Sequence, residues 1–113
     1  MKKFLAVFVA PIEAYDAMKK EMQNKSPEDK KKEMESWMQW MEHHKAHIVD
    51  HGGGVGGAKR VTGDGKITDS RNEIGGYMLI QAENAEEAAA IFKDSPHFGV
   101  HSGAIEVMEI MGM

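Results

Sequence analysis

The chain has 113 residues, 42% hydrophobic and 28% charged, with a formal net charge of -4 and no cysteine. That length supports one hydrophobic core, so residues 1–113 read as a single domain. The negative balance removes the electrostatic term that holds proteins to phosphate backbones, so nucleic acid is not an expected partner, and the missing cysteines exclude disulfides, thiolate catalysis and thiolate metal sites.

Met1-Lys2-Lys3 followed by Phe4 to Ala10 has the charge-then-apolar order of a secretory leader. The run is short, Pro11 ends it, and Phe8 and Ala10 do not form a small-x-small cleavage site. Lys3 to Ala10 is therefore read as a central strand buried on both faces, and a cytoplasmic location is expected. No segment is long enough to span a bilayer, so no membrane partner is expected.

From Pro11 to Asn24, Ile12, Tyr15, Met18 and Met22 recur at three- and four-residue spacing, which predicts a short helix or helical loop. Ser26 then caps a longer helix, with Pro27 at its first position and Glu28 and Asp29 on its positive end. The pattern predicts that this helix runs to about His51, where Gly52 and Gly53 stop it. Met34, Trp37, Met38, Met41, His44, Lys45 and Ile48 would share its core-facing side. The methionines read as packing rather than as copper ligands.

Gly54 to Thr62 reads as a second strand weakened by Gly56 and Gly57, followed by a turn at Gly63-Asp64-Gly65. Lys66 to Asn72 is a hairpin arm or a loop. Ile74 to Ala82 is the next strand. Asn84 and Glu87 form a capping box for a helix ending near Lys93, and Pro96 precedes a last strand, Ala104 to Ile110. The order is a ferredoxin-like split βαβ, an α+β fold with helices on one face of an antiparallel sheet. Its other face needs a cover, and a second copy in a closed two-fold homodimer is the expected one.

The chain resembles the YCII-related (DGPF-like) family of the dimeric α/β-barrel superfamily. The resemblance is carried by Lys3 to Phe8, by Trp37 and Trp40, by Gly52 and by Gly75 to Ala82. Glu86-Glu87-Ala88, Pro96-His97 and Ile105 to Glu109 complete it. The Asp-Gly-Pro-Phe segment is absent, its place taken by Asp64-Gly65-Lys66 or Thr68-Asp69-Ser70. The resemblance implies a ferredoxin-like subunit and a homodimer whose sheets meet face to face. The wider superfamily includes oxygenases, haem proteins and small-molecule isomerases, so no reaction follows from the fold alone.

Six histidines are the main source of chemistry. His44 would point toward the sheet beside Trp37, as a core residue with one hydrogen-bond partner or as a pocket base. His97 sits at a turn before a strand, a position common to site residues and to helix-ending turns alike. Asp69 could orient a histidine. These three are the expected acid/base residues, with Trp37, Trp40, Met41 and Tyr77 as ligand contacts. His43, His47 and His51, spaced by four, would share a helical flank that is either solvated or metal-binding. No Gly-x-Ser-x-Gly elbow, phosphate loop or His-Glu-x-x-His motif is present, and no cofactor is specified. The functional expectation is a small-molecule-binding homodimer with possible histidine acid/base activity. Two readings compete with it: a non-catalytic binding or assembly module, and a histidine-ligated metal protein.

Overall fold

The computed structural model describes residues 1–112. Strand β1 (Lys2–Val9) lies in the middle of a four-stranded antiparallel sheet, between β5 (Ile74–Ala82) and β6 (Ala104–Glu109). Strand β2 (Ile48–Gly54) pairs with the outer side of β5, giving the order β2-β5-β1-β6. This is the ferredoxin-like arrangement, and the nearly continuous apolar run of β1 is what its central place requires.

Alternation along the strands sorts side chains onto two faces. Phe4, Ala6 and Phe8 of β1, with Met78 and Ile80 of β5, are buried on one face. Helices α2 (Pro27–His43) and α3 (Ala85–Ala90) supply Trp40 and Ala88 to the same core, and Ile91 and Phe92 follow α3. The opposite face carries Leu5 and Val7, with Leu79 and Tyr77 directly across from them on β5. Tyr77 and Met108, on that face, are 39% and 45% exposed.

Local signals place the helix starts well. The hydroxyl of Ser26 accepts from the Asp29 N–H at 3.1 Å, and the Asn84 side chain accepts from the Glu87 N–H at 2.8 Å. The predicted helix over Pro11–Asn24 is present as α1 (Ile12–Asn24), with no buried residue.

The expectation that the long helix continues to His51 is wrong. Helix α2 ends at His43, Lys45–His47 make one 3-10 turn, and Ile48 enters the sheet. The β-branched pair Ile48-Val49 and the open edge of β5 outweigh the helical spacing. Gly52, expected to end a helix, instead serves an irregularity in β2, where pairing shifts between Asp50 and Gly53. Its φ is +61°, and a Cβ there would lie 2.0 Å from the carbonyl oxygen of Tyr77. The Asp50 carboxylate accepts from the Gly52 N–H at 2.8 Å and fixes the bend.

The core-facing stripe also needs correction. Met34 and Met38 are 65% and 57% exposed, while Trp40 is the one buried residue of α2. The strand expected over Gly54–Thr62 divides in two. Gly54 closes β2, and Ala58–Val61 (β3) pairs with Ile67–Ser70 (β4) in a separate two-stranded hairpin.

Candidate functional site

The last two turns of α2 and its C-cap bring Trp37, Trp40, Met41 and His44 to the sheet side, following three- and four-residue helical spacing. The Trp40 ring stacks on Phe92, with centroids 5.3 Å apart and planes 27° from parallel. Trp37 stands edge-on to Phe8 at 5.6 Å and to Trp40 at 6.2 Å. These rings fill the layer between α2 and the sheet.

At the edge of this layer is a polar group. The indole Nε1 of Trp40 donates to Oδ1 of Asp94 at 3.0 Å. Nε2 of His44 lies 3.3 Å from the same oxygen and, when protonated, donates to it. The imidazole leans on the Trp40 ring, with centroids 4.8 Å apart. Asp94 is held by the turn after α3, where Lys93 N–H donates to Ala90 and Ser95 N–H donates to Phe92. Desolvation pushes the Asp94 carboxyl up. The hydrogen bonds from Trp40 and His44 outweigh it and hold the group below its ordinary carboxylate value. The His44 side chain is 16% exposed and that of Asp94 is 64% exposed, so the pair is open to solvent on one side. An imidazole with one nitrogen fixed by a carboxylate has its tautomer set and its other nitrogen available for proton transfer.

His97 is elsewhere and enclosed. It is 6% exposed, its Nε2 donates to the Val9 carbonyl at 2.9 Å, and its ring meets Phe8 at 5.3 Å. Its backbone N–H is held by the Ser95 hydroxyl at 3.2 Å. This imidazole ties the turn after α3 to the end of β1. Asp69 lies in the hairpin, ion-paired with Lys59, and has no histidine partner among the described residues. Tyr77 is on the opposite sheet face from Trp37, Trp40, Met41 and His44.

The helical flank of histidines does not form, because α2 ends at His43. His43 stands edge-on to His44 at 4.8 Å. His47 lies in the 3-10 turn, its Nδ1 3.0 Å from the Gln81 carbonyl, and His51 lies in β2. Among the described residues, no three histidine, aspartate or glutamate side chains converge to hold a metal ion.

Sequence reasoning missed two features. Asp94 stands fifty positions from His44, and no local spacing links them. The second is a cleft of about 410 Å³ between α1 and the base of the hairpin, lined by Tyr15, Met18, Val55, Arg71 and Ile74 among others. The Tyr15 hydroxyl donates to the Phe8 carbonyl at 3.1 Å. Its ring crosses Gly75 so closely that a Cβ there would lie 2.5 Å from the hydroxyl oxygen. Burial, with a smaller contribution from the Glu73 charge, raises the Tyr15 pKa above its ordinary value despite an opposing backbone hydrogen bond at Gly75.

Comparison with known proteins agrees with this architecture. Among curated proteins, none matches the sequence. Among solved structures, the fold is similar to 5-chloro-2-hydroxyhydroquinone dehydrochlorinase (TftG) from Burkholderia phenoliruptrix AC1100, in complex with 2,5-dihydroxybenzoquinone. The TM-score is 0.54 and the identity 17%, over 100% of this chain and 96% of that one. The family profile of the YCII-related domain matches residues 13–113. With the central β1, the two-helix layer and the β2-β5-β1-β6 sheet in place, the chain belongs to the YCII-related domain family.

Proposed function

We propose that this chain is a single-domain, cytoplasmic, small-molecule-binding homodimer in which His44 acts as an acid/base group. The observation that carries the reading is the convergence of His44 and Trp40 on one oxygen of Asp94. A carboxylate held by an indole keeps an imidazole oriented, and the half-buried ring of Trp37, with the buried Trp40 behind it, gives a flat ligand an apolar edge. His97 has its ring in a structural hydrogen bond and is assigned to positioning the turn. Asp69 has no part in this reading.

The face bearing Leu5, Val7, Leu79 and Met108, with Glu106 beside Val7, supports the homodimer, because a largely apolar sheet face needs a cover. The structural neighbour is a dehydrochlorinase that holds a hydroxylated quinone. Loss of hydrogen chloride needs a proton acceptor, a role suited to an oriented imidazole. A hydroxylated six-membered ring is therefore the first ligand class to try.

Both tryptophans of the chain lie in this layer, so their fluorescence reports on it. Titration of 2,5-dihydroxybenzoquinone should quench that fluorescence saturably, and His44→Ala should weaken binding about tenfold while the dimer persists in native mass spectra. Absence of saturable quenching, or equal affinity in the variant, would sink the His44 reading. A filled aromatic layer supports the second reading, a non-catalytic binding or assembly module. That reading predicts that His44→Ala changes thermal stability alone.

A further inference from the structure

The cleft between α1 and the hairpin is separate from the His44–Asp94 pair. It adjoins Ile74 and Gly75 at the start of β5, whereas Gln81 near the other end of that strand donates to Ala46, just beyond His44. Gly75 to Gln81 is six residue steps of strand, about 20 Å at ~3.3 Å each. The cleft has its own chemistry. Tyr15 and Met18 of α1 face Val55 and Ile74, which are 46% and 39% exposed, across an apolar space of about 410 Å³. That volume falls within the range of small-molecule sites.

The polar lining is one-sided. Ser70, Arg71 and Asn72 contribute to it, and no carboxylate side chain does. The Asn72 carbonyl oxygen is occupied by the Ile74 N–H at 2.9 Å, which leaves its amide hydrogens as donors. Arg71 already grips a carboxylate: its Nη2 and Nη1 donate to the two oxygens of Asp16 at 2.8 and 3.4 Å. That shows a guanidinium fork oriented for bidentate carboxylate binding. Its present partner is half-exposed, and an exposed ion pair is held only weakly. Lys19 and Lys20 act on Asp16, and Glu73 acts on Tyr15.

We propose that this cleft binds a small organic carboxylate, its apolar body between Tyr15 and Ile74 and its carboxylate on Arg71 in exchange for Asp16. In the exchange the ligand's carboxylate takes the place of Asp16 and keeps the fork saturated. Glycine at position 75 leaves Tyr15 room to form the wall, since any side chain there would strike its ring.

The test is a titration of isotopically labelled full-length protein with benzoate, followed by amide shifts. Benzyl alcohol serves as the neutral ligand of similar shape. Benzoate should shift the amides of Tyr15, Gly56, Gly57 and Ser70 to Asn72 saturably, and benzyl alcohol should bind at least about tenfold more weakly. Arg71→Gln should weaken benzoate about tenfold, and Asp16→Asn, which removes the internal competitor, should tighten it several-fold. Both positions are on the surface, and a thermal melt checks that each variant is folded. The proposal is overturned by no saturable shift, by shifts centred elsewhere, by equal binding of benzyl alcohol, or by benzoate affinity that Arg71→Gln leaves unchanged. None of these results bears on His44, whose reading rests on the quinone titration.

Discussion

Trp40 and Asp94 are fifty-four positions apart in sequence and joined by a 3.0 Å hydrogen bond. The bond crosses from the end of α2 to the turn after α3, so it fixes the two helical segments over one edge of the sheet. It also sets the acceptor that His44 uses. Structure and chemistry therefore meet in one indole N–H.

Replacing Trp40 with Phe tests that bond while keeping the stacking on Phe92. We expect a stability loss of about 0.5–1.5 kcal/mol in urea unfolding, the usual net worth of one hydrogen bond. The His44–Asp94 contact should also loosen, seen as a change in the His44 imidazole resonances. An unchanged midpoint and unchanged resonances would mean that the indole N–H does not hold the carboxylate.

Acid should weaken the protein partly through Asp94. Its folded-state pKa lies below the ordinary aspartate value. A group depressed in this way stabilises the fold above its unfolded pKa, and that contribution is lost as pH falls through the folded value. Asp94→Asn should be less stable than the parent at neutral pH, and the gap should close as pH falls below about 4. Asp16 and Asp64 are shifted the same way by Arg71 and Thr62, so the variant keeps a reduced acid limb. A gap constant from neutral pH into the acid range would contradict the linkage.

His97→Ala should strand the Val9 carbonyl and open space beside Phe8. A loss of about 1–3 kcal/mol is expected for the unpaired acceptor, with the missing ring volume adding to it. A fully stable His97→Ala protein that has lost ligand binding would instead make His97 part of a site.

Gly52→Ala should cost about 1–3 kcal/mol, because the backbone is left-handed there and the new methyl meets the Tyr77 carbonyl. Gly53→Ala is the matched control, since a Cβ at Gly53 has nothing within 4 Å. Equal melting temperatures for the two variants would show that the bend in β2 adapts.

Much of the fold was legible because local chemistry and the global pattern agree. Ser26 and Asn84 cap the helices as read, and the apolar runs of β1 and β5 lie centrally. The misreading at Lys45–His51 came from a segment whose helical spacing competes with an open strand edge, a contest that tertiary pairing decides. Trp37, Met41 and His44 were legible as one stripe because a helix links them by spacing, whereas Trp40, outside that stripe, is the residue α2 buries. Asp94 and Arg71 were not, because their partners, His44 and Asp16, sit fifty or more residues away and meet them only once the chain is folded. The histidine flank dissolved for the same reason that the helix ended early.

The β3–β4 hairpin stands apart from the main sheet, with Val61 and Ile67 paired at its tip and each about two-thirds exposed. A ribbon of two strands has two free edges, each able to template pairing with another chain. Lys59 and Arg60 on β3 and Asp69 on β4, with Lys66 at the turn, place charge along those edges, where an incoming strand would have to strip it of water. The hairpin thus adds two strand edges to those of β2 and β6 in the main sheet, and its lysines and arginine guard them against pairing with another chain.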